Sequence, residues 1–599
     1  MKPFSAAILA ATLIISACSG EQDAATTAGP EETVDASTQL ADLFDEQFER
    51  NLELNPLAAT SIGDDRYDDR MAISNSQEYR DADKALDEEF LARLLEIDRD
   101  ALSYQDQLSY DIFKIRIEQS LERNQFPFHL QPTNQFRLMT NFFVQLGSGS
   151  SMHPFKTVKN YDDWLSRADD IVTNLDISVE NMKEGMRAGV VQPKVLMVKV
   201  TPQIEAHIVD SAEESNFWMP ISNMPEDFSD EDRERLTVAY KDAIENKFIP
   251  AFERLNNFIG DDYIENSRDT VGLGDQPNGA AWYQYMVKLR TTTDMTPDEI
   301  HQIGLDEVAR IHGEMHGVME EVGFEGDLQD FFEYANTEEQ FFFDEAEELI
   351  QGYRDMSTDI EEKAQGLFDV APNTAFEVRR VEPFREASAS GGSYSSGTPD
   401  GSRPGIFYAN AYDIKARPKW AMESLFLHEA IPGHHFQISL QRENEDLPRF
   451  RRFGGFTAYS EGWGLYAETL GKELGVYTDP YQYFGALNAE LWRSIRLVVD
   501  TGLHAKGWSR QDVLDYMYAN SAVAPARAIS EAERFMAIPG QALAYKIGQL
   551  KIRELRNMAE ERLGDGFDVK AFHREILIDG PMPLSMLHSK LERWVDAQL

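Results

Sequence analysis

The stretch His428-Glu429-Ala430-Ile431-Pro432-Gly433-His434-His435 decides how this chain is read. Three of its twelve histidines fall here, in a sequence with 104 acidic residues against 57 Lys and Arg. Imidazole nitrogen and carboxylate oxygen are the donors that hold zinc in hydrolases that leave one coordination position to water. A glutamate beside the first ligand is where such enzymes place the base that activates that water.

The spacing departs from HExxH, in which histidines at i and i+4 share one helix face. Position i+4 from His428 is Pro432. On an ideal helix His434 lies about 120° round from His428, and His435 lies about 10 Å along the axis. A regular helix therefore cannot build the site. Pro432 lacks the N–H for the carbonyl of His428 and its ring clashes there, so the helix must bulge or break. Gly433 takes up the distortion. We expect a widened turn that swings His434 back beside His428, with His435 outside the ligand set or donating to substrate. The competing reading is an ordinary helix end, which accounts for Pro-Gly and one histidine but not for the whole run.

Zinc with two histidines and a water needs one more protein ligand. The segment after the motif supplies Glu461 and Glu468, seven residues apart on one helix face, among aromatics and small residues. Gly462 and Gly464 each cost a helix roughly 1 kcal/mol against Ala and suggest close approach of another backbone. Glu461 is assigned as third ligand, and Glu468 as support for a ligand histidine. Otherwise both are ordinary salt-bridged carboxylates.

Two further segments complete the candidate site. Arg496, Asp500 and His504 fall at i, i+4 and i+8, one polar stripe on an apolar helix. Asp500 can fix the tautomer of His504, which can then bond the substrate carbonyl oxygen; a buried ion-pair stripe explains the pattern equally well. After Pro539-Gly540, Gln541 and Tyr545 share a face. The Tyr545 hydroxyl suits a developing oxyanion, and Arg534 or Lys546 a substrate carboxylate.

Most of the rest reads as helix, with apolar residues at three- and four-residue steps over 38–54, 82–97, 105–124, 162–188, 229–258 and 297–322. Thr296-Pro297-Asp298-Glu299 is a helix start. The clearest strand is 405–410, after a Ser-, Gly- and Pro-rich loop over 387–404; 378–381 is a second. A strand followed by a His-Glu helix is the order of zinc peptidases, whose edge strand pairs with the substrate backbone; a short structural hairpin explains the pattern equally well. Asn410 would end it. No internal repeat and no nucleotide fingerprint is present.

At the N-terminus, Lys2, an apolar run over 4–15 and Ile15-Ser16-Ala17-Cys18 read as a secretory signal (1–17) ending in a bacterial lipobox, with Cys18 lipidated. It is the sole cysteine, so no disulfide within the chain can form. Residues 18–37 read as lipidated cysteine and solvated tether. An N-terminal helical lobe (38–290) and a catalytic lobe (291–599) follow. The net charge of -47 argues against nucleic acid and anionic membranes as partners, leaving a lipid anchor as the membrane contact.

The segments 428–435, 461–468, 500–504 and 539–548 together resemble the domain of unknown function 885 family of exported bacterial proteins. Its hallmarks are His-Glu-Ala-x-Pro-Gly-His-His, Glu-Gly-Trp-x-x-Tyr-x-Glu, Asp-Thr-Gly-Leu-His and Pro-Gly-Gln-Ala-x-x-Tyr-Lys-Ile-Gly. The match in order and spacing covers 405–555, with fainter likeness through the body. The family is similar to gluzincins of the thimet-oligopeptidase and Taq-carboxypeptidase kind. That similarity implies a mostly α, two-lobed zincin-like body around a deep channel, one Zn2+ at its floor, a small β-sheet near the metal helix, and peptide hydrolysis in the periplasm. His428, His434 and Glu461 would hold zinc, Glu429 would move the proton, and Tyr545 and His504 would stabilise the oxyanion. The alternatives are a peptide-binding lipoprotein without catalysis, or a zinc hydrolase of another amide or ester.

Overall fold

Apolar residues at helical spacing, closed by capping side chains, make most of this chain helix. The computed structural model describes residues 35–382, 386, 389–398, 401 and 403–599. The helix Pro297–Val322 shows the logic. The Thr296 hydroxyl accepts from the N–H of Glu299, and the Glu299 side chain returns to the N–H of Thr296. Gly323, at φ 67°, ends it in the left-handed conformation. Helices at Ala36–Leu54, Gln77–Leu95, Tyr104–Arg123 and Val158–Ala188 follow the apolar periodicity. The helix expected over 229–258 is instead divided. A π-helical turn, Ile244–Phe248, joins Asp230–Ala243 to Ile249–Phe258. Pro250 sits just past that turn and has no N–H for a regular ladder, and the wider turn absorbs the mismatch.

Three short strands form one sheet: β1 (Phe376–Arg380), β2 (Gly392–Ser395) and β3 (Gly405–Ala409). The order is β1-β3-β2, with β3 parallel to β1 and antiparallel to β2. This corrects the expected edge position of the strand at 405–410, because β3 is central and both its edges are taken. The edge strands are β1 and β2, and β2 lies inside the stretch read as a loop. Its Gly-Ser-Tyr-Ser sequence carries little strand preference, and pairing with β3 imposes the conformation. A Cβ on Gly392 would come within 3.0 Å of Leu425, so β2 lies directly against the helix that carries His428.

Leu40, Phe44 and Phe48 of the first helix share a core with Tyr459, Trp463 and Leu591. The rings of Phe44 and Phe450 are 4.7 Å apart. The start of the chain thus packs on its C-terminal part, and this core crosses the boundary drawn at 290/291. A separate core around Trp164, Phe217 and Phe248 holds the helices of 139–264 together. The fold is mostly α with a small sheet. Among the described residues no helix is long and apolar enough to cross a membrane. The expected signal peptide, Cys18 and nearly all of the tether lie outside the described residues.

Candidate metal centre

The distortion at Pro432 is a complete break. One helix, Met422–Glu429, ends just before it, and another, His434–Glu443, begins just after. Gly433 is demanded by packing at the junction: a Cβ there would lie 2.0 Å from the carbonyl oxygen of His428 and 2.3 Å from that of Leu427. The indole Nε1 of Trp463 donates to the carbonyl of Pro432 at 2.9 Å and clasps the corner. His428 is the last buried residue of the first helix and His434 the first residue of the second. Their rings lie 4.8 Å apart, close to perpendicular.

The helix Thr457–Thr469 crosses this corner and brings Glu461 to both rings. Glu461 Oε2 is 3.5 Å from Nε2 of His428 and 3.5 Å from Nε2 of His434. One ligand atom from each of the three residues lies within 4.8 Å of the other two. Ligands 2.0–2.1 Å from a tetrahedral zinc are about 3.4 Å apart, a spacing that the two glutamate–histidine distances match.

Both glycines of this helix are needed, for different reasons. Gly462 meets the backbone of Gly548, where a Cβ would lie at 2.5 Å. Gly464 faces no backbone; its missing Cβ leaves room for the His428 imidazole, which would otherwise lie 2.8 to 3.0 Å away.

Glu468 holds His428 from behind, with Oε1 2.8 Å from Nδ1. Its other oxygen accepts from the Ser424 hydroxyl at 2.6 Å, and Arg493 approaches to 3.3 Å. Burial lowers the pKa of His428, but hydrogen bonds to Glu461 and Glu468 outweigh it and push it up to about 9. Burial raises that of Glu461, yet the two histidines hold it well below the carboxylate range. The opposed shifts describe a cluster that favours positive charge at its centre.

Glu429 is half-buried, and among the described residues its carboxylate takes no hydrogen bond. On the opposite side the Tyr545 ring lies nearly parallel to that of His428, 6.4 Å away. Burial raises the Tyr545 hydroxyl, and the charge of Glu461 adds to it. Gln541 donates to that hydroxyl at 3.4 Å, and the Arg496 guanidinium covers the ring at 4.9 Å. Arg534 donates to Gln541 at 2.9 Å.

Several expected roles do not survive the geometry. His504 has no nitrogen left for a substrate. It is buried, Nδ1 accepts from the N–H of Leu273 at 2.9 Å, and Nε2 faces the carbonyl of Phe535 at 3.0 Å. Asp500 does not orient it; Asp500 accepts from the Tyr283 hydroxyl at 2.6 Å and the N–H of Gly540 at 3.0 Å. Arg496 leaves that stripe to pair with Glu531 at 3.0 Å. Lys546 is buried on Glu490 and Glu307, at 2.5 and 2.8 Å, and cannot reach a substrate carboxylate. Asn410 is buried and donates to the carbonyls of Glu386 and Ala389, which fixes the end of β3. His435 faces Tyr394, 2.9 Å from its hydroxyl, and is not part of the His428–His434–Glu461 cluster.

Sequence reasoning missed Arg493 and Glu531. Glu531 holds both Arg496 and Arg534, and its spacing of three from Arg534 was the available signal. Nothing local marked Arg493.

A mostly helical body with a partly buried His-His-Glu cluster at a helix break is thus the class that fold and site define. The family of bacterial proteins of unknown function DUF885 matches residues 56–591, and the chain belongs to that family. A candidate lipoprotein from Colwellia psychrerythraea is similar in structure, with a TM-score of 0.86 and 29% identity over 94% of this chain and 100% of that one. A candidate lipoprotein of unknown function from Shewanella oneidensis shares the fold, with a TM-score of 0.73 and 18% identity over 92% of this chain and 99% of that one. No curated protein matches.

Proposed function

We propose that the protein is a zinc-dependent peptidase that hydrolyses peptides in the bacterial periplasm, anchored through lipid at Cys18. The convergence of His428, His434 and Glu461 at the ligand spacing of a tetrahedral zinc, with a free carboxylate on the next residue, carries this reading. A zinc ion held there supplies Lewis acidity toward water and the substrate carbonyl. Glu429 takes the proton of the attacking water and later delivers it to the leaving amine. The Tyr545 hydroxyl, oriented by Gln541, donates to the carbonyl oxygen as charge develops. Glu468 keeps the His428 proton on Nδ1, leaving Nε2 as the ligand atom. The outer edge of β2, which no strand covers among the described residues, offers backbone pairing to an extended peptide.

The test is metal analysis and a peptide-library digest of the full-length chain in detergent. The expected result is one zinc per chain and cleavage that chelation abolishes and zinc restores. Glu429→Gln should keep the zinc and lose about a hundredfold or more in turnover. Full activity in that variant, or a protein that binds no zinc, sinks the proposal. The candidate lipoproteins among its structural relatives support the anchor. Labelling with a fatty-acid analogue should disappear in Cys18→Ser.

A further inference from the structure

Away from the metal centre, a cavity of about 550 Å³ opens between the loop that follows the helix Tyr104–Arg123, the helix Gly279–Thr291 and the segment 536–539. Its polar wall is unusual in this acidic chain. Arg123 and Arg137 both line it as solvent-exposed residues, and neither guanidinium has a hydrogen bond or ion pair among the described residues, although Arg123 lies over the Phe128 ring at 4.7 Å. Asp81 and Asp83 are the carboxylates on the wall, and neither comes within ion-pair distance of those two arginines.

The backbone that carries Arg137 is locked. Asn134 Oδ1 accepts from the N–H groups of Phe136 and Arg137 at 2.9 and 3.0 Å, and the Thr133 hydroxyl donates to the carbonyl of Arg137 at 3.1 Å. A fixed turn thus presents a guanidinium with nothing to hold. Partial desolvation against the cavity wall lowers its pKa, although the residue keeps an exposed surface, and the charges of Arg290 and Arg123 lower it further. This is the electrostatic situation that an anion relieves.

Two neutral donors on the same wall are also unanswered. Trp282 and Gln276 are 3% and 6% exposed, and Trp282 Nε1 and Gln276 Nε2 have no hydrogen-bond partner. A buried donor left unpaired costs about 1–3 kcal/mol, so these two, close to two guanidiniums that hold no carboxylate, favour an acceptor. Phe126 and Phe128 pack on Trp282, at 6.1 and 5.0 Å between rings, and give the cavity an aromatic floor.

We propose that this cavity binds a small molecule that carries an oxyanion, a carboxylate or a phosphate, on an apolar body. Arg137 and Arg123 take the charge, Trp282 and Gln276 donate to the remaining lone pairs, and the aromatic floor receives the body. The assignment does not depend on the peptidase reading.

The test is calorimetry on the chelated full-length chain, so that a metal contributes nothing. The titrants are N-acetylphenylalanine, its neutral amide, and phenyl phosphate. At least one anion should bind while the amide does not; the acid alone assigns a carboxylate ligand, and the phosphate alone a phosphate. Arg137→Gln should weaken binding about tenfold or more, and added salt should weaken it as well. Trp282→Phe keeps the ring and removes the donor, so it should weaken binding several-fold; it also serves if Arg137→Gln melts early. An amide that binds as well as the acid, no anion binding in the millimolar range, or unchanged affinity in the folded variants overturns the proposal. Any of these leaves zinc content and peptide cleavage untouched.

Discussion

Nδ1 of His428 sits 2.8 Å from Oε1 of Glu468, on the side of the ring away from Glu461. A carboxylate in that position fixes tautomer and ring orientation and makes the ligand nitrogen more basic. Glu468→Gln should therefore weaken zinc binding about 10–100-fold while full occupancy remains reachable at saturating metal. Competition against a chelator reads this directly. Unchanged affinity would remove Glu468 from the metal centre.

Gly464→Ala and Gly462→Ala separate metal geometry from packing. Both overfill tight contacts, at a cost of about 1–3 kcal/mol each. The Cβ of the first pushes on the His428 imidazole, and that of the second on the Gly548 backbone. Thermal melts should fall in both variants, but only Gly464→Ala should lose zinc from its folded fraction. Equal zinc content in the two would contradict the geometry.

Tyr545→Phe should reduce turnover about 10²–10³-fold, the usual loss for one oxyanion donor, with zinc content and peptide affinity retained. His504→Gln provides the contrast. Its nitrogens hold Leu273 and Phe535 together, so it should cost about 1–3 kcal/mol of stability and leave turnover per folded molecule as it was. Rate measurements corrected for active fraction decide between the two roles. A hundredfold loss in folded His504→Gln would restore it to the chemistry.

Burial raises Asp500 to about 7, against the hydrogen bonds from Tyr283 and Gly540 that lower it. A carboxyl whose folded value exceeds its unfolded one stabilises fully below the unfolded value, near pH 4. That contribution is lost as pH rises through about 7. The loss is at most roughly 4 kcal/mol at 1.36 kcal/mol per pH unit. Asp500→Asn keeps an acceptor for both partners without the charge. Denaturant melts of the two proteins should converge near pH 4, with the variant the more stable above pH 7. Parallel curves across that range would show that Asp500 is not a buried acid.

Sequence alone disclosed most of the helices and the convergence of His428, His434 and Glu461, because local rules govern both. The Thr296 cap, the period of apolar residues and the incompatibility of Pro432 with a helix each involve a few neighbouring residues. His504, Asp500 and Asn410 misled for the opposite reason. Their partners are the Tyr283 hydroxyl and backbone groups of Leu273, Phe535, Gly540 and Glu386, which only tertiary structure brings near. The strand β2 was hidden because its residues favour turns and its conformation comes from β3. Arg123, Arg137 and Trp282 carry no shared spacing, so the cavity they line leaves no trace in the linear order.

When two metal ligands sit four residues apart on one uninterrupted helix, they travel as a single body. Here the two imidazoles belong to separate helices that meet at a corner clasped by Trp463. Their separation is therefore a tertiary quantity, set by how those helices are seated. On the proposed zinc reading, whatever slackens the clasp changes metal affinity without touching a ligand, a vulnerability that the unbroken motif does not have.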